Sequence, residues 1–191
     1  MSTEVELKAH VENPQALRQK IVSVLNVLDE KEIIKQDIYY ALTSRDGPAF
    51  RIRVEGQKSS GHEWLGSIIF TRKEHQRDAG IETNSEYEFS VSIEQKQNVE
   101  AFCRSLGLKE FLRKEKKGWS WYIQDSPLHV ELIEVVPLGW FLEVEAVCDT
   151  PKSSREILEI KKALVNLLKT LEIPLENIEH RYYMEMLREK S

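Results

Sequence analysis

The stretch Glu4-Val5-Glu6-Leu7-Lys8 alternates charged and apolar residues. Alternation at period two is the pattern of a β-strand, whose successive side chains point to opposite faces. One face of this strand is apolar, and the other carries two acids and a base. The device recurs along the chain. Leu142-Glu143-Val144-Glu145 and Ser85-Glu86-Tyr87-Glu88-Phe89 repeat the acidic pair, and Phe50-Arg51-Ile52-Arg53-Val54 is its basic counterpart. Phe70-Thr71-Arg72-Lys73 and Lys114-Glu115-Lys116 continue it.

Two arrangements satisfy this pattern. In an ordinary antiparallel sheet the charged faces look to water, and acids pair with bases on neighbouring strands. In a closed sheet the charged faces point inward, and helices cover the apolar outside. Charge withdrawn from water without partners is very costly. A closed interior of this kind therefore demands a highly charged ligand. Arginines and lysines would hold an anion such as a polyphosphate, and carboxylates would hold the divalent ions that accompany it. Composition by itself favours the ordinary sheet.

The ordered set of charged motifs reverses that preference, because it resembles the CYTH superfamily, the triphosphate tunnel metalloenzymes. Their signature Glu-x-Glu-x-Lys is matched by Glu4, Glu6 and Lys8. There follow, in order, Gln36-Asp37-Ile38-Tyr39-Tyr40, Arg51/Arg53, Thr71-x-Lys73, Glu86/Glu88, Lys114-x-Lys116-x-x-Trp119, Leu138-Gly139-x-Phe141-x-Glu143-x-Glu145 and Arg181-x-Tyr183-x-x-x-Leu187. Any one Glu-x-Glu is weak evidence, but the ordered set spans nearly the whole chain. The resemblance implies an α+β fold: an eight-stranded antiparallel closed β-barrel with helices packed outside and a single CYTH domain over residues 1–191. It implies a divalent-metal-dependent enzyme, with Mg2+ or Mn2+, acting on a triphosphate small molecule such as ATP, thiamine triphosphate or tripolyphosphate.

By the same resemblance Glu4, Glu6, Glu143 and Glu145 are the metal ligands. Lys8, Arg51, Arg53, Lys73, Lys114, Lys116 and Arg181 bind the triphosphate. Forked guanidinium donors and point-charge ammonium groups both suit phosphate oxygens. Glu86 and Glu88 orient the bases, and Lys8 with Tyr39 is the pair that would activate the nucleophile. Plainer assignments stand beside these: Lys114 and Lys116 sit in the charge run Arg113 to Lys117, which suits a solvated edge, and Tyr39 suits core packing. Arg181 matches an arginine that precedes a Ser-Tyr pair in class IV adenylate cyclases; here the pair is Tyr182-Tyr183. That match and Gln36-Asp37-Ile38-Tyr39 lean towards a cyclase releasing cyclic AMP and pyrophosphate. A triphosphatase is the alternative, and a non-catalytic polyphosphate- or nucleotide-binding module the second.

Two positions depart from the family pattern. Asn84 stands where a basic residue is common, and Ile133, flanked by Glu131 and Glu134, stands where an aspartate is common. Loss of that carboxylate points to a substitute ligand, a single-metal site or a weakened enzyme.

Composition sets wider bounds. The chain has 191 residues, 41% hydrophobic and 31% charged, which suits a globular protein with a substantial core. A net charge of -5 argues against a nucleic-acid binder. No uncharged run exceeds eight residues, so no segment reads as a membrane helix, and two acids within the first six residues argue against a secretory signal. Cys103 and Cys148 lie in apolar surroundings and read as reduced core residues of a cytoplasmic protein, monomeric or homodimeric. The histidines His10, His62, His75, His129 and His180 form no zinc-type spacing.

Periodicity places the other elements. Asn13-Pro14 is an N-cap with proline at the first helical position, followed by Leu17, Ile21, Val24, Leu25 and Leu28 at helical spacing. Ile33 to Leu42 reads as a strand, with Tyr39 and Tyr40 on opposite faces. Ser44 to Pro48 reads as a turn, Glu55 to Glu63 as an exposed hairpin loop, and Trp64 to Thr71 as a strand. Glu74 to Ser85 reads as a polar loop, a candidate lid, and Glu86 to Ile93 as a strand. Val99, Phe102, Cys103 and Leu106 form the stripe of a helix that Gly107 ends. Strands follow over Phe111 to Ile123, His129 to Val135 and Phe141 to Val147. The capping box Ser153-x-x-Glu156 then opens a long helix that Pro174 ends, and a short helix around Tyr182 to Leu187 closes the chain.

Overall fold

A computed structural model describes residues 2–42, 47–59, 61–63, 65–78, 80–148, 150 and 152–190. Eight antiparallel strands form a closed barrel: β1 (Ser2–His10), β2 (Lys31–Ala41), β3 (Phe50–Ser59), β4 (Leu65–Asp78), β5 (Ile81–Ser92), β6 (Lys109–Tyr122), β7 (Leu128–Val136) and β8 (Gly139–Cys148). The spatial order is β1-β5-β4-β3-β2-β6-β7-β8, and β8 pairs back onto β1. Every strand thus has two partners, and among the described residues no strand edge is left open to other chains.

The alternation read from β1 is the alternation of the wall. Val5, Leu7 and Ala9 face outward and are buried, as are Leu142, Val144 and Ala146 of β8 and Val130 and Leu132 of β7. Two helices cover them: α1 (Pro14–Val24), through Leu17 and Ile21, and α3 (Ser154–Thr170), through Leu164, Leu167 and Leu168. Asn13 accepts from the Ala16 amide at 3.1 Å, and the Ser153/Glu156 capping box is formed, so both helix starts lie where side-chain caps satisfy free amides. The opposite wall is covered more thinly. There α2 (Lys96–Ser105) buries Cys103 against Tyr40, Ile52 and Ile68. A short α4 (Tyr183–Glu189) packs Tyr183 and Met186 against Ile33, Ile133, Val135 and Phe141 at one end of the barrel.

Several boundaries differ from the periodicity. α1 stops at Val24, and Val24 and Leu28 are exposed, because the chain turns extended at Leu25. Phe102 and Leu106 of the α2 stripe also face solvent. The polar stretches 55–63 and 74–85 are largely strand rather than loop: β3 continues to Ser59, β4 to Asp78, and β5 begins at Ile81. Of their polar residues, Glu55, Gln57 and Glu82 line the inward face, which is polar here. Gly80, with φ +78°, lies where a Cβ would come within 2.6 Å of His180 Nδ1. Within the expected turn 44–48, Ser44, Arg45 and Asp46 lie outside the described residues, as does Trp64. Both cysteines are free, Cys103 buried and Cys148 half-buried at the end of β8. No helix among the described residues is long and apolar enough to cross a membrane.

Candidate active site

The barrel encloses a cavity of about 530 Å³ whose lining is charged on every side. It includes Glu4 and Glu6 of β1, Lys35 and Tyr39 of β2, Arg51 and Arg53 of β3, Lys73 of β4 and Glu82, Glu86 and Glu88 of β5. Lys114 and Lys116 of β6, His129 and Glu131 of β7 and Glu143 and Glu145 of β8 complete it. The closed arrangement, not the ordinary sheet, is therefore the one adopted. Register alone does not pair every charge: Glu6 lies beside Glu82 and Glu145, Glu131 beside Glu143, and Lys35 beside Lys116, whereas Asp37 lies beside Arg53 and Lys114, and Lys73 beside Glu86. Compensation runs both between neighbouring strands and across the lumen.

Four lysines make these contacts. Lys8 pairs with Glu82, and Lys35 with Glu131. Lys116 Nζ lies 2.7 Å from each oxygen of Glu143. Lys73 Nζ lies 2.5 Å from Glu4 Oε2 and 2.6 Å from Glu86 Oε1. On the arginine wall, Arg53 grips Asp37 with Nε at 2.7 Å and Nη2 at 3.1 Å, and Lys114 approaches the same carboxylate at 3.0 Å. Arg51 donates to Thr71 Oγ1 at 2.9 Å, and Thr71 donates to Glu88 at 2.9 Å.

These pairs set the protonation states. Burial acts to raise Glu4, Asp37 and Glu143, but Lys73 and Asn84 hold Glu4 down at about 2. Lys116 likewise holds Glu143, and Arg53 holds Asp37, well below the usual carboxylate range. For Glu6, burial and the Glu4 and Glu82 carboxylates act together and push it well above that range. Burial resists ionisation of Tyr39, but Lys114, which donates to Tyr39 Oη at 3.1 Å, outweighs it and holds the hydroxyl below its ordinary value. Burial lowers Lys116 despite Glu143.

Glu4, Glu6 and Glu145 bring one carboxylate oxygen each within 4.8 Å of one another. Three hard carboxyl oxygens, two from β1 and one from the adjacent β8, are a donor set suited to Mg2+ or Mn2+, whose charge would favour the ionised form of Glu6. Glu143 stands apart from this trio, on Lys116. Arg181 is not brought to the cavity: it is held outside by Glu179 and Glu189, at 2.7 Å and 2.8 Å. Glu88 is exposed at the rim and lies 4.0 Å from Arg51.

Several residues in or behind the cavity wall carry no assigned role in the sequence pattern. Lys35 and Asp37 share the period-two face of Tyr39. Glu82 was hidden by assigning its stretch to a loop. Glu131 faces inward two positions before Ile133, which is buried in the apolar plug with Phe141, Tyr183 and Met186. Asn84, the other departure, is fully buried and donates to Glu4 Oε2 at 3.1 Å. His129 Nδ1 lies 2.9 Å from Glu145 Oε1, and its ring lies 4.5 Å from that of Tyr122. Tyr183 closes the α4 end, with Lys116, Lys114 and Lys8 at 4.8, 5.1 and 5.3 Å from its ring centroid.

A barrel of this topology with a lumen of paired acids and bases defines a class, and the sequence agrees with it. The chain belongs to the CYTH domain family, whose model matches residues 2–183. Among solved structures it is similar to the PH1819 protein from Pyrococcus horikoshii OT3, at 26% identity and TM-score 0.72, covering 98% of this chain and 99% of that one. An adenylate cyclase candidate from Vibrio parahaemolyticus shares the fold at 17% identity and TM-score 0.69, with 97% of each chain covered. So does the adenylyl cyclase candidate HpAC1 from Hippeastrum, described as having a dominant triphosphatase activity, at 14% identity and TM-score 0.64, covering 100% of this chain and 97% of that one. No curated protein matches the sequence.

Proposed function

We propose that the protein is a divalent-metal-dependent enzyme that acts on a triphosphate bound in the barrel. The supporting observation is the lumen itself, in which five bases, Arg51, Arg53, Lys73, Lys114 and Lys116, converge from three strands on the cavity that the Glu4, Glu6 and Glu145 trio also lines. A triphosphate carries about four negative charges, and bases from several strands can surround it where one surface patch cannot. The arginines offer forks to the phosphate oxygens, and the lysines offer mobile point charges. When bound at Glu4, Glu6 and Glu145, a divalent ion would neutralise charge developing on the phosphates and help line up the attacking oxygen. Tyr39, which lines the cavity with its hydroxyl shifted towards ionisation by Lys114, is the group we assign to take the proton of that oxygen, while Lys8 donates to Glu82 as a cation. Tyr183 and the apolar plug behind it keep bulk water from one end.

The first reaction is that of an adenylate cyclase: the 3′-hydroxyl of ATP attacks the α-phosphorus and pyrophosphate leaves. It is supported by the Asp37-Ile38-Tyr39 stretch, whose Tyr39 lines the cavity while Asp37 anchors Arg53. The second is hydrolysis of the terminal phosphate of tripolyphosphate, thiamine triphosphate or a nucleotide. It is favoured by the outward placement of Arg181, one of the two features that leaned towards a cyclase. Product analysis of ATP, thiamine triphosphate and tripolyphosphate with Mg2+ or Mn2+ separates them. Cyclic AMP with pyrophosphate establishes the cyclase, and phosphate establishes the triphosphatase. No product from any substrate, with tight tripolyphosphate binding, would make the protein a binding module.

A further inference from the structure

Glu4 belongs to two arrangements at once. Its carboxylate is one of the three that converge within 4.8 Å, yet its Oε2 is already taken by Lys73 at 2.5 Å and by Asn84 at 3.1 Å. Lys73 also reaches Glu86 at 2.6 Å, so one ammonium group bridges two buried carboxylates on neighbouring strands. Among the described residues, Lys73 is the lysine whose partner belongs to the converging trio; Lys8, Lys35 and Lys116 are engaged with Glu82, Glu131 and Glu143.

We infer that Lys73 is a built-in stand-in for the divalent cation, so that metal ion and polyphosphate each bind well only when the other is present. The inference rests on the tunnel being a polyphosphate site. A buried carboxylate without a counter-charge is strongly destabilising, and Lys73 supplies that charge to Glu4. A divalent ion arriving alone must displace Lys73, or share Glu4 with it and meet like-charge repulsion. A polyphosphate arriving alone must draw Lys73 away and leave Glu4 buried and uncompensated. When both arrive, the phosphate takes the ammonium and the ion takes the carboxylate, so no charge loses a partner. Such coupling is reciprocal: the factor by which polyphosphate raises cation affinity equals the factor by which the cation raises polyphosphate affinity.

The test is Mn2+ binding in the absence of any phosphate, by electron paramagnetic resonance and calorimetry. Wild type is expected to bind Mn2+ weakly, Lys73→Met about tenfold or more tightly, and Lys73→Arg like wild type because it keeps the charge. Glu4→Gln added to Lys73→Met should abolish the gain. Because Lys73→Met also strips Glu86 of its partner, Lys73→Met/Glu86→Gln is measured beside it to keep the barrel folded. Equal Mn2+ affinity in wild type and both Met variants, an equal gain in Lys73→Arg, or no detectable Mn2+ binding by any of them would overturn the inference. Turnover of triphosphates by wild type is scored separately. Turnover without the gain removes the stand-in and leaves the enzyme; the gain without turnover does the reverse.

Discussion

Lys116 Nζ sits 2.7 Å from both carboxylate oxygens of Glu143, and both side chains are buried. Each is the other's counter-charge across the lumen, so removing one leaves the other stranded. Glu143→Ala is expected to cost about 3–5 kcal/mol of folding stability. Lys116→Met placed in the same chain should recover part of the loss, because the stranded ammonium goes too. Chemical denaturation of the four proteins checks this as a double-mutant cycle, and additive effects would dissolve the pair.

Asn84 holds Glu4 in place from behind. Glu4→Ala is expected to abolish metal-dependent turnover, and Asn84→Ala to leave turnover but weaken metal dependence by about 10–100-fold, the usual effect of losing a group that orients a ligand. Titrating Mg2+ and Mn2+ against rate separates the two. An unchanged metal requirement in Asn84→Ala would reduce the asparagine to packing.

Gly118 lies between Lys116 and Ser120 on β6, opposite Ile133 of β7. A Cβ there would come 2.0 Å from the carbonyl oxygen of Leu132, which is backbone and cannot rotate away. Gly118→Ala should destabilise the barrel by about 3 kcal/mol or more, read as a lowered denaturation midpoint. A midpoint within error of wild type would show that β6 and β7 pack less closely than this.

Glu179 clasps the segment that leads into α4. It accepts from Arg181 at 2.7 Å and contacts His10 Nε2 at 3.0 Å, and its amide donates to the Lys8 carbonyl at 2.9 Å. The Arg181 hydrogen bonds hold its carboxyl well below the usual carboxylate range, against burial. A carboxyl depressed on folding contributes stability above its unfolded value of about 4.3, and that contribution fades as pH falls further towards the folded value. Because Arg181 is half exposed, about 1 kcal/mol is expected, or roughly 2–4 °C in melting temperature. Glu179→Gln should melt lower than wild type near pH 7, with the gap closing as pH falls below about 4. A gap that is constant with pH would deny the carboxylate this role.

Much of this molecule was legible before its shape was known. Period two in Glu4-Val5-Glu6-Leu7-Lys8 and its repeats named the two faces of each strand, because side-chain direction in a strand is local geometry. Asn13-Pro14 and Ser153/Glu156 marked their helix starts for the same local reason, since a cap needs only neighbouring amides. Local rules failed where burial decided. Glu82 was lost because a polar stretch reads as loop when its inward face is polar too. Phe102 and Leu106 looked like a core stripe but face solvent, because α2 presses only Cys103 firmly onto the barrel.

What the chain determined by itself is that one face of each strand is charged and the other apolar. What only the tertiary structure decided is where that charged face goes and which groups meet on it. Closure of β8 onto β1 turns the charged faces into a lumen, and the order β1-β5-β4 brings Lys73 to Glu4. Sixty-nine residues separate those two in sequence. The physical reason is range: strand periodicity is set within a few bonds, whereas the pairing of buried charges depends on which strands become neighbours.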